Sequence, residues 1–275
     1  MMAPPLTSWS AGGEASKVAS LLAGIRARDA SILGITDLDL TGCGLEELPT
    51  EVCELTRLEK LNLGGNNLAD LPDAFSALVS LRILFFLGNA FRAIPAVIGR
   101  LPALETVSFK SCQLAAVGED CLPTSLRALI LTSNAITSLP TTVGTLSRLR
   151  KLMLAQNKLN LLPDEIGACR ELELIRLSNN NLRCLPQGLL LLPNLAWIAL
   201  AGNPLAGAPP SVPRVCVRAR ALRVYACVCA CVCVCVCVCT LLTSMHARLF
   251  LCMHYLSFYV NTCTYMHTCI KELDS

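Results

Sequence analysis

Between residues 35 and 207 the apolar side chains follow one pattern that returns every 23 residues. The stretch "LEKLNLGGNNLADLPDAFSALVS" (58–80) shows it: L-x-x-L-x-L-x-x-N-x-L-x-x-L-P-x-x-Φ-x-x-L. The same spacing holds in 81–103, 126–148, 149–171 and 172–194. A first copy starts at Ile35, a fourth (104–125) is one residue short, and an eighth, from Leu195, is cut off after "AGNPLAG". The L-x-L alternation has period two, which predicts a short strand in each unit with one face turned inward. The Φ-x-x-L spacing after the Leu-Pro pair is helical and belongs on the far side of the unit. A unit of this size cannot bury its own apolar face, so neighbours must stack.

Self-similarity with this consensus identifies a leucine-rich repeat array. The expected fold class is an α/β solenoid, a right-handed horseshoe whose concave surface is a parallel sheet with one strand from each of eight units. The ninth position of each unit turns the chain out of its strand. It is held by Cys43, Asn66, Asn89, Cys112, Asn134, Asn157, Asn180 and Asn203. These side chains are expected to satisfy backbone groups of the turn and of the next coil, and losing one is expected to cost roughly 1–3 kcal/mol. Cys is an accepted occupant of the motif, so Cys43 and Cys112 read as structural rather than reactive. The prolines of the Leu-Pro pairs fix φ and end the turn.

Upstream, Val18, Leu21, Leu22 and Ile25 stand at i, i+3, i+4 and i+7. Residues 14–34 therefore read as an N-terminal capping helix with Ser16 as its N-cap. Residues 1–13 read as disordered, 35–207 as the repeats and 208–213 as a Pro-rich linker. Residues 214–275 read as a low-complexity Val/Cys tail, disordered or poorly defined rather than a folded domain.

The x positions of the strands face outward on the concave side. The candidate partner-binding residues there are Ile83, Phe85, Leu87, Lys110, Ile130, Lys151, Met153, Leu174, Arg176 and Trp197. They form an apolar stripe with basic points. Exposed apolar patches mark interaction sites, and Phe, Trp, Met and Arg are enriched at interface centres. The alternative is that these side chains pack on one another along the sheet and bind nothing. Asp37, Asp39 and Lys60 read as solvated face.

Charge and cysteine sharpen the division between array and tail. Residues 1–210 hold 17 Lys+Arg against 18 Asp+Glu, so the overall +3 comes from the tail. The array has no basic bias towards nucleic acid. Six of the 17 cysteines precede residue 211, and they show none of the clustered pairs of a disulfide framework. Residues 1–34 lack a charged start followed by an apolar run, so no secretory leader is expected. No N-x-S/T acceptor occurs. These points favour a reducing, cytoplasmic setting. All three histidines (His246, His254, His267) lie in the tail, so the array offers no imidazole; no catalytic residue, cofactor site or metal site is expected.

In the tail, "ACVCACVCVCVCVCT" (226–240) alternates Cys with Val and Ala. A metal site needs thiolates converging on one ion, whereas this alternation lays them along one face of a strand. The single candidate membrane span, 224–245, is long enough, but period two argues for a strand instead of a helix. "RVCVRARA", "RVYACVCACVCVCVCVCT" and "TCTYMHTCI" each alternate between the two codon types of purine–pyrimidine repeat DNA. A translated microsatellite or unspliced intron is the economical reading.

The segments "LRILFFLGNAF", "LETVSFKSCQL", "LRKLMLAQNKL", "LELIRLSNNNL" and "LPNLAWIALAGNP" together resemble the repeat region of leucine-rich-repeat protein kinases of bacteria and algae. The resemblance covers about residues 17–207. More broadly, the array is similar to intracellular Ras-effector-type leucine-rich repeat proteins, scaffolds for protein partners. No Gly-rich phosphate loop, H-R-D or D-F-G occurs, so kinase activity does not carry over. The expected function is non-catalytic: binding of a protein partner on the concave face, as a scaffold in intracellular signalling. The alternatives are the regulatory half of a Ser/Thr kinase whose catalytic domain is missing from this chain, or a membrane-tethered repeat protein.

Overall fold

The computed structural model describes Ser8–Ser10, residues 15–205 and Tyr225–Cys227. The chain divides into two units, Met1–Cys229 and Ala230–Ser275, and every described residue belongs to the first. The expectations for the linker and for the tail apart from 225–227 fall outside the described residues, as does the truncation point of the eighth unit.

Ten short strands form one parallel sheet in chain order. They are β1 (Ser8–Ser10), β2 (Asp37–Asp39), β3 (Lys60–Asn62), β4 (Ile83–Phe85), β5 (Thr106–Ser108), β6 (Ala128–Ile130), β7 (Lys151–Met153), β8 (Leu174–Arg176), β9 (Trp197–Ala199) and β10 (Tyr225–Cys227). Strands β2 to β9 come one from each repeat, here called coils 1 to 8. The middle residues Leu38, Leu61, Leu84, Val107, Leu129, Leu152, Ile175 and Ile198 align across the sheet and are all buried. Period-two alternation thus produces one inward row and leaves the flanking residues on the open face. Strand β1 pairs with the leading repeat strand within a stretch expected to be disordered, and β10 pairs with the trailing one. Both occupy an edge that would otherwise present unpaired N–H and C=O groups.

The expected capping helix is broken in two: α1 (Ala15–Arg26) and α2 (Ala30–Leu33). Arg28 takes a left-handed φ of 58°, and Asp29 caps the second helix by accepting the Ser31 N–H at 2.9 Å. Ser16 lies inside α1 and not before it. Val18, Leu21 and Ile25 are buried, which covers the core of coil 1. Arg26 pairs with Glu51, and Arg28 with Glu54 at 3.3 Å, fastening the cap to that coil.

The far side of the solenoid is 3₁₀ rather than α-helical. Five-residue 3₁₀-helices follow Pro49, Pro72, Pro95, Pro140 and Pro163, each with φ between −56° and −70°. Pro186 opens a four-residue α-turn, Gln187–Leu190. Proline fits here because the first helical residues need no N–H partner. Coil 4 carries Val117-Gly118 where the other units place Leu-Pro, is one residue short and has no helix there. Neighbouring coils approach closely on this side: a Cβ on Gly144 would lie 2.8 Å from the Glu165 carbonyl oxygen. Inside, Phe86, Phe91 and Phe109 fill coils 3 and 4 with ring centroids 4.7–5.3 Å apart, one pair stacked and two edge-on.

In all eight coils a residue with φ between 56° and 71° precedes the ladder position: Gly42, Gly65, Gly88, Ser111, Ser133, Gln156, Asn179 and Gly202. That left-handed residue turns each ladder side chain inward. Asn66, Asn89, Asn134, Asn157, Asn180 and Asn203 each donate through Nδ2 to the carbonyl three residues earlier. Nδ2 also donates to a carbonyl of the preceding coil, at 2.8–2.9 Å. Each Oδ1 accepts a backbone N–H of the preceding coil at 2.9–3.1 Å. The bonds therefore run backwards, not to the next coil as expected. The turn that aims the side chain follows its own strand, so the amide faces the coil already laid down. Cys112 keeps the backward link with its thiol, donating to the Phe86 carbonyl at 3.0 Å.

Candidate functional site

The strand register lays the outward residues in columns across the open face. One column runs Asp37, Lys60, Ile83, Thr106, Ala128, Lys151, Leu174, Trp197. The next runs Asp39, Asn62, Phe85, Ser108, Ile130, Met153, Arg176, Ala199. Leu87 and Lys110 stand two residues beyond β4 and β5 positions 85 and 108. On coils 1 and 2 Lys60 Nζ lies 2.9 Å from Asp37 Oδ2, and Asp39 accepts the Thr41 N–H at 2.9 Å.

Coil 3 presents Ile83 and Phe85 half-buried and Leu87 47% exposed. Coil 4 then interrupts the apolar run with Thr106, Ser108 and exposed Lys110. Ser108 is buried, flanked by Phe85 and Ile130. Beyond it, Ile130 adjoins Met153, and Leu174 adjoins Trp197; all four are half-buried. Lys151 and Arg176 are exposed among them. The face thus holds two apolar patches separated by one polar strand, in place of a continuous stripe. The Trp197 indole N–H is itself buried and has no acceptor among the described residues.

A charged row just ahead of the strands was not anticipated: Glu59, Arg82, Glu105, Arg127, Arg150 and Glu173. Arg82 lies 3.0 Å from Glu105, which also meets Arg127 at 3.6 Å, and Arg150 lies 3.2 Å from Glu173. Its signal was available, because the same unit position carries a charge in six successive coils. A cleft of about 350 Å³ runs along the start of this row, lined by Asp37, Glu59, Lys60, Arg82, Ile83 and Glu105 among others.

No cluster of three or more His, Cys, Asp or Glu side chains that could hold a metal occurs among the described residues. No helix among them is long and apolar enough to cross a membrane. Cys53, Cys112, Cys121, Cys169 and Cys184 are free thiols. Burial pushes Cys53, Cys121 and Cys169 up to about 11, which keeps them protonated and unreactive at neutral pH.

Residues 34–91 and 124–182 match the leucine-rich repeat family model. No curated protein matches the chain. Among solved structures 473 chains match. One is a leucine-rich repeat protein of Leptospira interrogans, 32% identical over 64% of this chain, with a TM-score of 0.51. The match spans about half of that protein, 51% of its length. Consensus, strand register, asparagine ladder and these matches together show the leucine-rich repeat fold over this array, a fold that generally serves protein–protein interaction.

Proposed function

We propose that the domain is a non-catalytic module that binds a protein partner on the open face of its sheet, as a scaffold in intracellular signalling. The observation that carries this reading is the strand register: it gathers Ile130, Met153, Leu174 and Trp197 into one half-exposed apolar patch with cations beside it. Such a patch is what an interface centre requires. The cytoplasmic setting is supported by the free thiols of Cys53, Cys112, Cys121, Cys169 and Cys184, an arrangement that reducing compartments preserve.

The test is affinity capture with quantitative mass spectrometry. The bait is the full chain, the Phe85→Ala/Trp197→Ala variant, or Leu161→Ala, whose exposed side chain lies away from the strands. Partners lost with the double variant but kept with Leu161→Ala support the reading, provided both variants unfold like the parent. Identical capture by all three baits removes this face from consideration.

A further inference from the structure

The cations of the open face are distributed unevenly. Lys60 is already paired with Asp37. Lys110, Lys151 and Arg176 are exposed and make no ion pair among the described residues. Their neighbours in register are uncharged. Lys151 stands between Ala128 and Leu174, and Arg176 between Met153 and Ala199. No Asp or Glu occupies an outward position of β5 to β9, whereas β2 carries two. The arginines of the row ahead of the strands are different, since Arg82, Arg127 and Arg150 each have a carboxylate within 3.6 Å. Of the cations on this face and in the row ahead of it, Lys60, Arg82, Arg127 and Arg150 meet carboxylates, whereas Lys110, Lys151 and Arg176 stand unmatched around an apolar patch.

Resting on the binding role proposed above, we infer that the partner contributes an acidic, apolar segment, with carboxylates meeting Lys110, Lys151 and Arg176 and aliphatic or aromatic side chains covering Met153, Leu174 and Trp197. Opposite charges at an interface set register and speed encounter, while the apolar centre supplies the hold. Three coil spacings of about 4.8 Å place Lys110 and Arg176 roughly 14 Å apart along the stack. An extended peptide of about four residues spans that length.

Selection of a random peptide display library against the full chain tests this. The expected binders carry Asp or Glu next to Leu, Ile or Phe. Their affinity falls about tenfold or more in the Lys151→Glu/Arg176→Glu variant and weakens with added salt. An Arg92→Glu control, a cation outside the sheet, leaves it unchanged. Neutral or basic binders that are lost in Phe85→Ala/Trp197→Ala but kept in the charge reversal overturn the inference and leave the binding face standing. Binders indifferent to both variants overturn both. Recovery of no binder, or binding to phosphatidylserine vesicles in place of peptides, also overturns the inference.

Discussion

Replacing Asn157 by Ala isolates one rung of the ladder. Asn157 is buried between coils 5 and 6, where Oδ1 accepts the Ile136 N–H at 3.1 Å. Its Nδ2 donates to the Leu131 carbonyl at 2.9 Å and to the Leu154 carbonyl at 3.1 Å. Both carbonyls have a second donor: Asn134 reaches Leu131 and Asn180 reaches Leu154, each at 2.9 Å. The truncation therefore strands only the Ile136 N–H and halves the donors at two carbonyls. A stranded buried N–H costs about 1–3 kcal/mol, and each weakened carbonyl adds a few tenths, so the expected loss is roughly 2–3 kcal/mol. Removing Asn180 as well leaves the Leu154 carbonyl with neither amide. The double variant should then lose at least about 0.5 kcal/mol more than the sum of the singles. Guanidinium unfolding of the four proteins measures the cycle, and hydrogen exchange reads the Ile136 amide directly. A single-variant loss below about 0.5 kcal/mol with Ile136 still fully protected, or an additive cycle, would refute the shared-carbonyl ladder.

Cys112→Asn should stabilise the protein by about 1 kcal/mol, since an amide oxygen there meets the Phe91 N–H, the rung that a thiol leaves unmade; a lower unfolding midpoint would contradict this. Gly99→Ala and Gly144→Ala should destabilise by about 1–3 kcal/mol, because their Cβ atoms would lie 2.3 Å from the Asp120 carbonyl and 2.8 Å from the Glu165 carbonyl. Gly118→Ala meets nothing within 4 Å and should be neutral in the same unfolding assay. The buried thiols set a pH dependence. Cys53, Cys121 and Cys169 have folded pKa values near 11, above the ordinary 9.0, so the unfolded chain gives up their protons first. Stability should be intact below pH 9 and fall progressively between pH 9 and 11, measured by denaturant midpoints. Triple replacement by Ala should remove that part of the decline.

The inward rows and the open-face columns were legible because period two and a 23-residue repeat leave one register. Leu61, Leu84 and Leu129 can only align if the intervening loops keep step. Ladder positions were legible for the same reason, but not the direction of their bonds. Spacing alone does not tell whether the Asn89 amide faces Leu63 behind it or the coil ahead, and the left-handed φ of Gly88 settles that. The polar break at Thr106 and Ser108 could be read from the letters, yet the burial of Ser108 depends on Phe85 and Ile130 beside it. The Phe86–Phe91–Phe109 cluster joins residues on two coils whose χ angles no pattern specifies. Strand β1 lies ahead of the repeating units, so no recurrence at 23-residue spacing marks its three residues.

We propose that the open face of the sheet carries the binding function. Hydroxyl-radical footprinting of the chain with and without its captured partner tests it directly, since Met and Trp side chains oxidise readily when accessible. Met153 and Trp197 should become protected in the complex while exposed Leu161 and Val79 keep their reactivity. Protection at Leu161 or Val79 with Met153 and Trp197 unchanged would contradict it.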